Sequence, residues 1–162
     1  MATSSTYWVG AALLLSATAM ALPEAPSAYV AEIRGAATAT LRGPAEFGRA
    51  RGGPFVITLG ARAEDGAVLL TRWDGGRPWA GEYRVTAEPS VDGIQALIVT
   101  GSIQRPTGVF RAQSGRLSIT SSSLRHIAGR FEIDAIGFLA AEPDREDREL
   151  RVRGSFTASP GR

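Results

Sequence analysis

Apolar and polar side chains alternate with a period of two along most of the chain beyond residue 29, and this pattern constrains the fold most strongly. Successive side chains of a β-strand point to opposite faces of a sheet, so the alternation predicts strands with one buried face. Turn-forming pairs such as Asp65-Gly66 and Asp92-Gly93 separate the segments. The clearest segment is residues 127–140, with Phe131, Ile133, Ala135 and Leu139 on one face and Arg130, Glu132 and Asp134 on the other.

No segment beyond the N-terminal region keeps a helical period, and turn signals recur every ~10–15 residues. We therefore predict an all-β fold, an antiparallel sandwich or a small barrel of about nine strands, preceded by one N-terminal hydrophobic helix. One predicted strand, residues 94–100, is apolar on both faces at Ala96, Leu97, Ile98 and Val99. Such a strand is expected to be covered on both sides.

The first 22 residues carry no charged side chain and form a hydrophobic segment. One interpretation is a membrane anchor, since nineteen uncharged residues from Ser4 to Leu22 come near the length that crosses a bilayer. Its membrane residues would be Leu13, Leu14 and Leu15 in the apolar run and the interfacial pair Tyr7 and Trp8.

The other interpretation of the N-terminal segment is a cleaved signal peptide. Ala19-Met20-Ala21 has the form of a cleavage site, although no basic residue precedes the apolar run. Both interpretations place the remaining chain on the extracytoplasmic side, which is periplasmic in a bacterium. The domain organisation is then a hydrophobic segment at residues 1–22, a proline-rich linker at 23–28 and a β domain at 29–162.

Composition excludes several kinds of functional site. The chain has no cysteine, so it has no disulfide framework, no thiolate zinc site and no cysteine nucleophile. Its 18 basic residues are all arginine, and 16 acids leave a net charge of +2, too little for binding nucleic acid by charge alone. The missing lysine is typical of codon bias in a GC-rich genome. We expect the arginines on outward strand faces to pair with acids on neighbouring strands.

The remaining polar motifs favour structural roles. A lone histidine, His126, cannot build a metal site, and Ser121, Ser122 and Ser123 form a turn cluster without a nucleophile motif. The acidic run at residues 142–149 does not fit a calcium loop and is expected to be a solvated connection. We therefore expect no catalysis, no cofactor and no metal.

One loop is basic. Residues 42–53, with Arg42, Arg49 and Arg51, are expected to form a long connection between strands. If the N-terminal segment keeps the domain at the bilayer, this loop would lie near anionic lipid headgroups.

Aromatic and apolar residues supply the candidate partner-binding residues. Trp73, Trp79 and Tyr83 lie within eleven residues around a Gly-Gly turn, as either interface residues or core residues at a barrel end. Ile136 and Phe138 fall on the face that is charged at residues 130–134. That face must be covered by a loop, another strand or a partner.

A repeated pattern in the C-terminal third carries a resemblance. Residues 127–131 read Ile-Ala-Gly-Arg-Phe, and residues 152–158 read Val-Arg-Gly-Ser-Phe-Thr-Ala. With Ser-Gly-x-Leu-x-Ile-Thr at 114–120, they resemble consecutive strands of uncharacterised exported bacterial β-sandwich proteins. More generally, the chain resembles in type the membrane-extrinsic accessory subunits of bacterial membrane complexes, such as photosynthetic reaction-centre and light-harvesting assemblies.

These observations lead to two expected functions. The first is a non-catalytic extracytoplasmic accessory subunit that docks on an integral membrane protein complex and stabilises it; the likeness of type implies a photosynthetic reaction centre–light-harvesting complex. The alternative is a small β-barrel that binds an apolar ligand in its interior. A filled core favours the first and a closed apolar cavity the second.

Overall fold

The computed structural model describes residues 26–50, 53–60 and 64–161, and most of them belong to β-strands. Ten strands lie in this part of the chain, in the order β1 (Ala28–Gly35), β2 (Ala39–Gly43), β3 (Ala45–Arg49), β4 (Phe55–Leu59), β5 (Gly66–Arg72), β6 (Gly81–Thr86), β7 (Gly93–Ser102), β8 (Arg105–Ser122), β9 (Ile127–Leu139) and β10 (Arg148–Pro160). The all-β class predicted from the alternation is confirmed.

Seven of these described strands close a ring, in the order β3, β4, β5, β7, β8, β9 and β10. Neighbours in the ring are antiparallel, except that β10 runs parallel to β3 where the ring closes. We call a row of directly paired residues across neighbouring strands a rung. One rung starts on β10 at Glu149 and returns to the same strand ten residues later, at Ser159. It passes through Ile136, Arg111, Leu97, Leu69, Thr58 and Glu46. A closed sheet of tilted strands requires such a stagger.

The other three strands widen one side of the ring. The β1–β2 hairpin pairs with β10 from Ala28 to Gly35, and β6 pairs with β8 over its whole length. A short parallel contact also joins β6 to β7. The outer faces of β1, β10, β9, β8 and β6 therefore form one broad surface.

The interior of the ring is a single cluster of packed apolar side chains. The repeated glycine and phenylalanine pattern explains part of its packing, because β9 and β10 place each phenylalanine opposite the other strand's glycine. Phe131 faces Gly154, and Phe156 faces Gly129. A Cβ atom on Gly154 would lie 2.6 Å from Cζ of Phe131, so the phenyl group of Phe131 fills the space that the glycine leaves. The two phenylalanine rings lie 6.3 Å apart.

Residues 31–42 alternate apolar and polar side chains and therefore predict one strand, but they form two, β1 and β2. The chain turns between β1 and β2 at Gly35, whose φ of +119° disfavours residues with a side chain. A Cβ atom at Gly35 would also lie 2.5 Å from the Glu149 carbonyl oxygen. The hairpin keeps Ala31, Ile33 and Leu41 buried, so the predicted inner face is correct although the strand is divided.

The expected long connection at residues 42–53 is wrong over Ala45–Arg49, which forms β3. Ala45 and Phe47 are buried on one face of this strand. The sequence signal is weak because two apolar residues in five give no distinct alternation. Arg49 donates a hydrogen bond to the Gly75 carbonyl oxygen at 3.0 Å, while Arg42 is exposed on β2. Arg51 lies outside the described residues.

The predicted N-terminal helix lies outside the described residues, as do Tyr7, Trp8, Leu13, Leu14 and Leu15. Within the described ranges, no helix is long and apolar enough to cross a membrane. The first strand begins at Ala28, at the end of the predicted linker.

Candidate functional site

The outer surface of the ring carries an apolar area where polar side chains are expected. Two adjacent rungs cross β9, β8, β7 and β5 on the outward face. Seven of their eight positions are apolar: one rung is Ile136, Arg111, Leu97 and Leu69, and the other is Phe138, Val109, Val99 and Ala67. We call these eight residues the outer apolar patch. Strands with one face in water normally carry polar residues there, so the patch indicates a second covered face.

The patch is accessible to different degrees along its rungs. Leu97 is 38% exposed, and Leu69, Val109, Ile136 and Phe138 are half-buried. Val99 and Ala67 are buried, although they do not belong to the interior cluster. Directly opposed side chains on neighbouring strands lie about 5 Å apart, so the patch is continuous.

The sequence predicted parts of this patch separately. In the predicted strand at residues 94–100, which is apolar on both faces, Ala96 and Ile98 lie inside the ring and Leu97 lies outside it. Ile136 and Phe138 lie on the outward face of β9, as expected. Sequence reasoning did not join these segments, and it did not select Leu69 or Val109. Their own alternation was the available signal, but only the strand order places them beside Leu97 and Phe138.

Of the predicted tryptophans, Trp73 continues the outward face of β5 just beyond the strand and is 51% exposed. Its indole nitrogen donates a hydrogen bond to the side-chain oxygen of Gln95 on β7. Trp79, in the loop between β5 and β6, is 72% exposed.

Tyr83 has a different position from the two tryptophans. It packs against the interior cluster, and its hydroxyl both accepts a hydrogen bond from the Trp79 amide at 2.8 Å and donates one to the Trp79 carbonyl oxygen at 3.1 Å. Tyr83 therefore braces the loop that presents Trp79.

Arginine side chains hold the loop between the two tryptophans. Arg72 forms an ion pair with Asp74 at 2.6 Å, and its guanidinium lies 5.5 Å from the centre of the Tyr83 ring. Partial desolvation opposes ionisation of Asp74, but hydrogen bonds from Arg72 and from the Gly76 amide lower its pKa below the usual value. The carboxylate is therefore charged at neutral pH and fixes the turn.

Two further arginines connect this loop to neighbouring elements. Arg49 on β3 binds the Gly75 carbonyl oxygen, and the Arg77 guanidinium lies 5.0 Å from the centre of the Phe47 ring. Arg77 also donates to the Ser123 carbonyl oxygen in the turn between β8 and β9. Both tryptophans are thus presented by a braced loop, which reduces the entropy lost when a partner binds.

The outward faces of β1, β10 and β6, together with the parts of β8 and β9 that lie outside the outer apolar patch, are charged, and we call this surface the charged sector. Three of its arginines pair with acids on adjacent strands: Arg151 with Asp134 at 2.7 Å, Arg153 with Glu132 at 2.6 Å and Arg116 with Glu82 at 3.7 Å. The predicted pairing holds for these three, whereas Arg84 and Arg130 form no ion pair within the described ranges. The hydrogen bond that Arg151 donates to the Asp134 carboxylate holds the pKa of Arg151 above its usual value. The side chains of these pairs are about half exposed or more, so the sector is a solvated face on which ion pairs contribute little to stability.

The polar motifs form local structure. Nδ1 of His126 lies 3.0 Å from Oγ of Ser123, and the same hydroxyl accepts hydrogen bonds from the amides of Arg125 and His126. The pair therefore closes the turn between β8 and β9. In the acidic run, Arg148 pairs with Glu142 and Arg145 with Asp147. The described residues contain no group of three or more side chains that could hold a metal ion.

The described residues define an all-β, ring-closed protein with a packed interior, a charged sector and an outer apolar patch. Comparison of the chain with protein-family models, with curated proteins and with solved structures finds no match. The function is therefore argued from the physical character of these surfaces.

Proposed function

We propose that the protein is a non-catalytic accessory subunit that docks through the outer apolar patch and Trp73 onto an integral membrane protein complex. The patch carries this proposal, because seven of its eight outward positions are apolar on a ring whose interior is already filled. Contiguous exposed apolar surface with a polar surround marks interaction sites in folded proteins.

The energetics of covering this surface support a docking role. Removing on the order of 200 Å² of apolar surface from water contributes about 5 kcal/mol before the cost of association. An exposed tryptophan beside the patch adds a side chain of the type that dominates interface energies. Trp73 is such a residue, and its hydrogen bond to Gln95 restricts its rotamers.

The location of the partner is proposed from the N-terminal sequence. An uncharged apolar segment of about twenty residues precedes the β domain and motivates an extracytoplasmic, membrane-associated position. A membrane complex is then the partner within reach of the patch. Photosynthetic reaction-centre and light-harvesting complexes are the particular assemblies that the likeness of type suggests.

A barrel that binds an apolar ligand in its interior is the second candidate. It requires an apolar cavity of several hundred Å³ inside the ring. The inward side chains, among them Phe110, Phe131, Phe156 and Leu117, pack into one cluster. This packing is the reason for preferring the docking function.

Site-specific photo-cross-linking in native membranes tests the docking function. A photoreactive amino acid at Leu97 is expected to cross-link to an integral membrane protein. The same amino acid at Arg130, an exposed position of the charged sector, is the matched control and is expected to give no such product. If the photoreactive amino acid at position 97 gives no cross-linked product that is absent at position 130, the patch is not the docking surface.

A further inference from the structure

Arg111 is the one charged residue in the outer apolar patch. It is exposed on β8, and its partners in the rung are Ile136 on β9 and Leu97 on β7. Val109 precedes it on the same face of β8. Arg111 forms no ion pair with any residue in the described ranges. A cation thus lies beside three apolar residues of the surface that the partner would cover.

The nearby acids of the chain do not neutralise this cation. Asp134, two residues before Ile136 on β9, is held by Arg151 at 2.7 Å. Glu149 belongs to the same rung but lies beyond Ile136, two strands from Arg111. Two strand spacings amount to about 10 Å.

We propose that the docking partner presents a carboxylate within an apolar contact surface and that this carboxylate binds Arg111. The inference rests on the proposed function, since it describes the chemistry of the partner at the same patch. An apolar partner would strip water from the guanidinium and leave a charge without a counterion. A carboxylate matches the planar fork of arginine with two parallel hydrogen bonds and also fixes the orientation of docking.

Rebinding to native membranes tests this partner chemistry. Membranes are taken from a strain of the host that lacks the chain, and full-length variants are added over a range of concentrations. Arg111→Glu is expected to weaken binding by at least about 30-fold, equivalent to about 2 kcal/mol, because it places two carboxylates together. Arg130→Glu makes the same charge change in the charged sector and is expected to alter binding by less than about 3-fold.

Two further variants separate failure of this inference from failure of the proposed function. Leu97→Asp is expected to abolish binding, and Arg111→Gln to weaken it less than Arg111→Glu does. If Leu97→Asp abolishes binding while Arg111→Glu binds as the wild type does, the inference of a partner carboxylate is wrong and the docking function stands. If both variants bind as the wild type, both proposals are wrong.

The occupant of the patch is identified with a photoreactive amino acid at Val109, which precedes Arg111 on the same face of β8 and leaves the guanidinium in place. A cross-link to an Asp- or Glu-containing segment of a membrane protein supports the inference. A second copy of this chain carries Glu149 beside Ile136, so a cross-link between two copies is the competing outcome and overturns it. Because position 111 is exposed, circular dichroism and thermal unfolding of the variants are expected to match the wild type.

Discussion

A glycine on β9 offers the sharpest test of the strand register that builds the patch. Gly137 lies between Ile136 and Phe138 and pairs with Phe110 on β8. In a Gly137→Ala variant the new methyl group would overlap the Val109 carbonyl oxygen and come within 2.7 Å of the Phe110 Cα atom. Both obstacles are main-chain atoms, so no side-chain rotation relieves the clash. Gly48→Ala on β3 is the matched control, because a Cβ atom there meets nothing within 4 Å.

The expected magnitude follows from two opposing effects. Overpacking against rigid neighbours costs typically 1–3 kcal/mol, and a clash with main chain belongs at about 3 kcal/mol. Replacing glycine by alanine also stabilises by about 0.5 kcal/mol, since the unfolded chain loses freedom. The balance predicts that Gly137→Ala lowers the free energy of unfolding by about 2.5 kcal/mol, whereas Gly48→Ala raises it by about 0.5 kcal/mol.

Urea unfolding of the full-length variants, followed by tryptophan fluorescence, measures this difference. The two variants are expected to differ by about 3 kcal/mol, which corresponds to about 6–12 °C in Tm for a chain of this size. Equal stabilities would refute the reasoning, because Gly137 would then not lie against the Val109–Phe110 main chain. The positions of Ile136 and Phe138 in the patch would then be wrong as well, because they depend on the same register.

Three further predictions address the interior and the loop. The hydroxyl of Tyr29 is buried, which together with the nearby Asp65 charge raises its pKa to about 12 from 10.0. The unfolded chain then ionises first, so the free energy of unfolding is expected to fall by about 2–3 kcal/mol between pH 10 and pH 12. Tyr29→Phe should remove this part of the pH dependence in urea titrations. Phe131→Ala is expected to destabilise by about 3–5 kcal/mol in the same assay, because it empties the space over Gly154. Trp73→Ala should weaken membrane rebinding measurably, because it truncates the exposed tryptophan of the proposed docking surface.

The strands with strong alternation were predictable from the sequence. In β9 the charged residues Arg130, Glu132 and Asp134 lie on the outward face, and Phe131, Ile133 and Ala135 are buried, as expected. This success has a local cause, since a strand with one buried face records its orientation in its own sequence. The division of residues 31–42 at Gly35 and the strand at Ala45–Arg49 were missed, because both depend on contacts with β10 and β4.

The closure of the ring and the patch could not be predicted from the sequence. The order β5, β7, β8, β9 is set by which strand edges pair, and alternation carries no information about edges. The sequence identified Ile136 and Phe138 as anomalous and Leu97 as part of a two-faced strand. Only the pairing of β9 with β8 and of β8 with β7 shows that these residues are neighbours. The same holds for Arg111, which on its own strand looks like an ordinary outward arginine.

Hydroxyl-radical footprinting in native membranes tests the central claim most directly, since it measures whether the patch is covered where the protein works. Oxidation of Trp73, Leu97 and Phe138 is compared between native membranes and the purified protein. Val91 and Leu124 are exposed apolar residues outside the patch and serve as controls. We predict that the three surface residues are protected in membranes while the controls are oxidised equally in both samples. Equal oxidation of Leu97 and Phe138 in both samples would contradict docking through the outer apolar patch.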